Sequence, residues 1–180
     1  MTDRVGRNRI LFVCTANICR SPTAELLARA HFGEERHVYR SAGFLAPDHS
    51  VPSELVRVLR DRQIDATAHR SYQLDASSIE AADVLLAMES SHVQKISAIQ
   101  PDALDKALPL KEAAQAIAAF PPGPVALSDL LGHINQNRDP RSYLGSTWDV
   151  ADPYGRRIKA YRRAVDEIEQ LVAQVVGRLA

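Results

Sequence analysis

Sulfur, net charge and long apolar runs are all scarce in this chain, and each scarcity excludes something. Only two cysteines occur in 180 residues, too few for the disulfide framework that staples small secreted domains. Lys plus Arg equals Asp plus Glu at 22 each, so no overall field draws the protein to nucleic acid or anionic lipid. The N-terminus has no apolar signal core, no apolar run approaches the length of a membrane span, and no His- or Cys-rich metal spacing appears. The expectation is a reduced, cytoplasmic setting with no membrane insertion, no nucleic-acid partner, no metal and no cofactor. Oligomeric state is not readable. With 46% hydrophobic and 24% charged residues, residues 1–180 suit a single globular domain with a proper core, and no repeat divides them.

One stretch organises the rest. Ile10 to Val13 is a run of four apolar residues, the pattern of a strand buried on both faces. Ser21 is a good helix cap, Pro22 suits a first helical position, and Glu25 sets a carboxylate in the first turns. The residues from Cys14 to Arg20 therefore curl where a helix N-terminus collects unpaired N–H groups and positive potential, which makes an anion site. Arg20 adds a planar fork able to hold two phosphoryl oxygens. The same field favours a thiolate over a thiol at Cys14, and hence a nucleophile. A bare Cys-x5-Arg is a weak signal, and an inert buried Cys at a strand end is the bland alternative. The strand ending at the Cys and the helix opening after the Arg favour the phosphate reading.

At Val13-Cys14-Thr15-x-Asn17-Ile18-Cys19-Arg20-Ser21-Pro22, and again at Asp152-Pro153-Tyr154-Gly155, the chain resembles the low-molecular-weight protein tyrosine phosphatase family. Ala16 departs from the usual Gly, a strain only if the backbone there needs a positive φ. The resemblance implies an α/β domain of three layers around a four-stranded parallel sheet, with residues 15 to 21 as the phosphate-binding loop. It also implies that Ser41, in Ser41-Ala42-Gly43, and His69 hydrogen-bond Asn17 and so hold the loop's shape. Taken alone, His69 is a surface-loop histidine.

The remaining pattern agrees with strands alternating with helices and right-handed crossovers. A helix is expected over Pro22–Phe32 with Leu26, Leu27 and Ala30 inward and Gly33 as its stop. His37–Arg40 reads as a short strand ending in a small-residue turn at Ser41–Gly43. Helices follow from Ser53 and from a cap at Asp75, a third strand at Asp83–Met88, and a helix from Ser90 ended by Pro101. Ala107–Leu110 is a fourth strand whose Pro109 argues for an edge. Helices are expected over 113–120 and 128–136, with Arg138–Thr147 as loop; residues 111–150 resemble a family-variable insertion. Ile158, Tyr161, Val165, Ile168, Val172, Val175 and Leu179 form the apolar stripe of a last helix. Arg156, Arg157, Lys159, Arg162 and Arg163 load its first half with positive charge, either a solvated face or an apron beside the anion site. Arg4, Arg7 and Arg9 make a basic start on an N-terminus expected to fray over residues 1–8.

The chemistry expected is hydrolysis of phosphotyrosine in proteins through a phosphocysteine intermediate, with Cys14, Arg20 and Asp152 as catalytic residues. Ser21 can donate to the Cys14 sulfur, a role compatible with capping. A carboxylic acid must protonate the departing oxygen. Asp139 and Asp149 compete by residue type, but only Asp152 is followed by the family's Tyr and Gly. Ile18 and Tyr154 are expected to wall a ring-binding slot, whose third wall is not recognisable between Pro47 and His49. Related arginine phosphatases carry a hydroxyl residue at the position of Ile18, so an apolar side chain there favours phosphotyrosine. The rivals are an arsenate reductase resolved by a small cellular thiol, since no cysteine follows Cys19, and a non-catalytic phosphopeptide-binding module. The family resemblance further suggests Cys19 as a protective disulfide partner for Cys14, against the simpler reading of a small buried hydrophobe.

Overall fold

The computed structural model describes residues 7–180, and its centre is β1 (Arg9–Cys14). Side chains alternate across a strand, so Ile10 and Phe12 leave one face and Leu11 and Val13 the other. Each pair enters a different apolar cluster. This two-sided demand puts β1 inside the sheet, parallel to β2 (Val38–Gly43) on one edge and to β3 (Val84–Ala87) on the other. β4 (Ala107–Pro109) pairs with β3 alone, giving the order β2-β1-β3-β4. Pro109 has no N–H to offer a further strand and sits on that edge. The four-stranded parallel α/β sheet is thus observed.

Helices cover both faces. Against Ile10 and Phe12 lie α1 (Arg20–Phe32), α2 (Ser53–Arg60) and three later helices. Against Leu11 and Val13 lie α3 (Ala76–Ala81), α4 (Ser90–Ile99) and a 3₁₀ turn at Pro101–Lys106. Asp75 opens α3 with a capping box, its carboxylate taking the Ser78 N–H. The chain then returns to the first face as α5 (Leu110–Ala118), α6 (Leu127–Asn137) and α7 (Ile158–Val176). α7 buries Tyr161, Val165, Ile168, Val172 and Val175 against α1, α2 and α5. Each such side chain is worth about 1.5–3 kcal/mol of burial, enough to hold a helix whose opposite face is charged.

Several local expectations are corrected. α1 starts at Arg20 with Cys19 as its uncapped flank, so Ser21 and Pro22 lie inside the helix rather than at its cap and first position. Glu25 does not face the helix dipole; it is buried, accepting from Ser41 Oγ and pairing with Arg29 at 2.8 Å. Ser41–Gly43 is no turn but the end of β2, with Gly43 in register with Cys14. Of the expected inward set, Leu27 is buried and Leu26 half-buried against the core, but Ala30 is exposed and Ala28 takes the buried place instead. Within 138–147, Asp139 starts a 3₁₀ turn at Pro140–Leu144 by accepting the Arg141 N–H. The frayed start falls chiefly on residues 1–6, outside the described residues.

Candidate active site

β1 delivers Cys14 to the carboxyl end of the sheet, and the chain needs five residues to reach α1. Asn17 takes the left-handed conformation (φ 54°) that lets the loop curl, one that Asn tolerates better than most residues. Ala16 has no positive φ, so its departure from Gly introduces no backbone strain. The curl brings the Asn17 N–H to 3.3 Å from Cys14 Sγ and Ser21 Oγ to 3.0 Å from the same sulfur. Ser21 Oγ also lies 3.3 Å from the Ala42 carbonyl and accepts from Asn17 Nδ2 at 2.9 Å. One hydroxyl proton cannot serve two acceptors fully, and the shorter approach is to the sulfur.

Asn17 ties the loop to its supports. Its Nδ2 donates to Ser41 Oγ at 2.8 Å, its Oδ1 accepts the Tyr72 N–H at 2.8 Å, and its carbonyl lies 2.9 Å from His69 Nε2. Ser41 in turn donates to buried Glu25. Both Ser41 and His69 therefore contact Asn17, one through the side chain and one through the backbone. Gly43 lies so close that a Cβ built on it would sit 2.6 Å from the Asn17 nitrogen and 2.8 Å from the Ala16 carbonyl carbon. β2 must end in glycine to pass the loop.

Arg20 is 2% exposed although fully charged. Burial of a guanidinium is tolerable only when it is paired and hydrogen-bonded. Its Nη1 reaches Glu89 Oε1 and the Val150 carbonyl (3.0 Å), and its Nη2 reaches Asp152 Oδ2 at 2.8 Å and Thr15 Oγ1 at 3.4 Å. Its Nε, also buried, has no protein partner. Burial works to raise the Glu89 carboxyl, but the hydrogen bond from Arg20, the nearby charges of His92 and Arg20 and the Ser91 hydroxyl together hold the group below its ordinary value. Behind Thr15, buried His92 places Nε2 3.0 Å from Oγ1 and stacks on Phe44 at 5.5 Å between ring centres. Burial pushes this imidazole down to about 4.

A cavity of about 310 Å³ opens above the sulfur, lined by Cys14, Thr15, Ala16, Ile18, Cys19 and Arg20 from the loop and by Leu45, His49, Asp152 and Tyr154 from elsewhere. Ile18 and Tyr154, expected as walls of a ring slot, both line this cavity, and so do Leu45 and His49. Of the three candidate carboxylates, Asp152 alone lines this cavity. Asp149 accepts the Ser90 N–H, and Asp139 lines a separate cavity beside Trp148. Cys19 is buried, and burial, with Asp152 and Cys14 nearby, pushes its thiol up to about 12. Both cysteines are free. Glu89 and His92 escaped the sequence reading. Glu89 had a signal, since it stands two residues beyond a strand's carboxyl end, where open α/β sheets place their sites. His92 had none.

A cysteine sulfur at the base of a curled loop, a buried guanidinium and a carboxylate, gathered at one strand's carboxyl end, are the arrangement of a cysteine-based phosphatase. A family model for low molecular weight phosphotyrosine protein phosphatases matches residues 9–118, and the chain belongs to that family. A relative named protein-arginine-phosphatase from Geobacillus stearothermophilus is 35% identical over 172 residues, 95% of each chain. A probable low molecular weight protein-tyrosine-phosphatase, EpsP, from Ralstonia nicotianae is 29% identical over 94% of each. The solved structure of YwlE arginine phosphatase from Geobacillus stearothermophilus superposes with a TM-score of 0.71 at 31% identity, covering 94% of this chain and 91% of that one. Among the described residues no helix is long and apolar enough to cross a membrane.

Proposed function

We propose that this phosphatase hydrolyses phosphotyrosine in proteins through a phosphocysteine intermediate. Cys14 Sγ attacks phosphorus in line with the departing phenolic oxygen, which takes a proton from Asp152. Water then attacks the thiophosphate, its proton returns to the Asp152 carboxylate, and the sulfur leaves with Ser21 donating to it. Glu89 and Val150 anchor Arg20 through Nη1, which leaves the Nε–Nη2 edge for two equatorial phosphoryl oxygens. A phosphoryl group that takes Nη2 releases Asp152 from its 2.8 Å ion pair, so substrate binding itself frees the acid to face the leaving oxygen. Asn17, Ser41 and His69 hold the loop in this shape.

The observation that carries the tyrosine reading is the apolar slot of Ile18, Leu45 and Tyr154 above Cys14. A phenyl ring fits such walls, whereas a guanidinium laid against Ile18 and Leu45 finds no acceptor on those side chains and only Asp152 as a carboxylate in the cavity. The arginine reading has its own support, in the name of the 35%-identical relative. Side-by-side turnover of one protein carrying phosphotyrosine or phosphoarginine, with arsenate plus a small thiol as a third arm, decides among them. Preferential release of phosphate from phosphotyrosine is expected. Comparable or faster turnover of phosphoarginine refutes the tyrosine assignment, and thiol-dependent arsenate reduction without phosphate release refutes the phosphatase mechanism.

A further inference from the structure

Beside the Cys14 cavity runs a second groove, of about 570 Å³, along the first two turns of α7, and Asp152 lines both. Arg156, Arg157, Lys159 and Arg163 line it and are exposed. Among the described residues none of the four side chains makes a hydrogen bond or an ion pair, although the chain as a whole is neutral. The groove's two carboxylates are already engaged, Asp152 by Arg20 at 2.8 Å and Glu167 by Lys111 at 2.6 Å. α7 adds to the field: its first turn holds no acidic residue and no side chain caps its N-terminus. Four uncompensated cations thus stand along a concave wall that begins at the candidate catalytic acid.

We propose that this groove docks the acidic flank of a phosphorylated protein substrate, with carboxylates near the phosphorylated residue pairing with Arg156, Arg157, Lys159 and Arg163 while the phosphoryl group occupies the Cys14 loop. This rests on the protein-phosphatase reading above. A polypeptide is the occupant the site favours. Because Asp152 belongs to both cavities, a chain whose phosphorylated side chain reaches Cys14 passes directly over the cations. A membrane surface fits less well: none of the large exposed apolar residues lines the groove, Leu45 and Tyr154 lying at the Cys14 cavity and the others elsewhere, so nothing along the groove would enter a bilayer. Exposed ion pairs contribute modestly and are screened by salt, so the groove adds a modest, salt-sensitive preference among substrates.

The test compares phosphotyrosine peptides of one core sequence with acidic, neutral or basic flanks, together with the same set built on phosphoarginine and with para-nitrophenyl phosphate as a flank-free control. The readout is the ratio of kcat/KM for acidic over neutral flanks within each protein. The parent protein should favour the acidic flank by on the order of tenfold at low salt, through KM, and lose that preference near 0.5 M salt, roughly where the Debye length falls to a few Å. Arg157→Glu/Arg163→Glu should abolish or invert the ratio while para-nitrophenyl phosphate turnover persists. Arg157→Gln/Arg163→Gln, milder for folding, should bring it close to one. A ratio near one in the parent protein, or an unchanged ratio in both variants, overturns the groove while leaving the phosphatase reading intact. If only the phosphoarginine set is turned over, the tyrosine reading fails and the same ratio still judges the groove. If neither set is turned over while para-nitrophenyl phosphate is, both fall. Charge-dependent sedimentation with phosphatidylserine vesicles combined with a ratio near one would assign the patch to a membrane instead and overturn the proposal.

Discussion

Arg20 shows how one residue can serve both fold and chemistry. An arginine this deeply buried would destabilise the protein if it lost its partners, by about 3–5 kcal/mol for a broken buried pair, and Glu89 and Val150 hold its Nη1. Asp152 is the partner that can leave, because its side chain is still 45% exposed. From this division of labour, Arg20→Lys should lose most activity despite keeping the charge, since a lysine cannot hold Glu89 and two phosphoryl oxygens in one plane. Cys14→Ser should abolish turnover yet retain binding of an oxyanion such as vanadate or phosphate, measured by calorimetry; residual turnover at the parent rate would refute covalent catalysis. Asp152→Asn should lower kcat by about 10²–10⁴-fold on a substrate with a basic leaving group, and by much less on an aryl phosphate whose phenol is already acidic. The acid is misassigned if Asp139→Asn reproduces that pattern and Asp152→Asn does not.

At the scale of elements, the loop is shaped by what lies beneath it. Strand β2 passes under residues 15 to 17, and Phe44 and Leu45 both donate their N–H groups to the Thr15 carbonyl. The same strand end carries Ser41, which links Asn17 to Glu25. Gly43→Ala pushes a methyl into backbone, the neighbour least able to yield. Overpacking of this kind costs about 1–3 kcal/mol. The expected result is a lower thermal midpoint together with weaker oxyanion binding, because the amides of the loop move when Asn17 moves. A variant as stable and as active as the parent would show that the loop tolerates a different path.

Across the whole molecule, stability should depend on pH through buried histidines. The His92 folded value near 4 lies below its ordinary 6.5, so the folded state binds fewer protons than the unfolded one in between. Its contribution is therefore fully present above 6.5 and lost as pH falls from 6.5 toward 4. Burial also lowers His37, with the same sign. Glu89 acts lower, since a carboxyl held below its ordinary 4.5 loses its contribution only as pH falls beneath that value. Urea midpoints of the parent protein and of His92→Gln, followed from pH 7.5 to about 5, should converge as the pH drops, His37 leaving a smaller common slope. Parallel curves would mean that His92 is not buried as a neutral ring. Glu112 has the opposite sign: burial raises its carboxyl despite the Tyr143 hydrogen bond, so its contribution weakens as pH rises past 4.5.

Sequence alone determined the features whose causes are local. The run Ile10–Val13 can satisfy its side chains only between two layers, and a strand followed by a curled segment and a helix presents its amides at one point; hence the central strand, the anion loop, Cys14 and Arg20 were all legible. The family words pointed to Asp152 and Tyr154, and three-and-four spacing located α7, except that Leu179, counted in its stripe, lies past the helix end in a bridge to Val125. What depends on distant backbone was not legible. Ser21 is expected both to cap α1 and to donate to the Cys14 sulfur; only the second holds, at 3.0 Å, because α1 already starts at Arg20. Glu25 is a first-turn acid by sequence distance, yet Ser41 arrives from β2 to bury it. Ser41–Gly43 has the composition of a turn, and only the parallel register with β1 makes it a strand end that must be narrow. Leu45, His49, Glu89 and His92 come from separate crossovers, and only the order β2-β1-β3-β4 converges them on one loop. Spacing along a chain carries propensity and period, but the approach of segments tens of residues apart is set by which apolar faces pair, and that is decided when the sheet closes around β1.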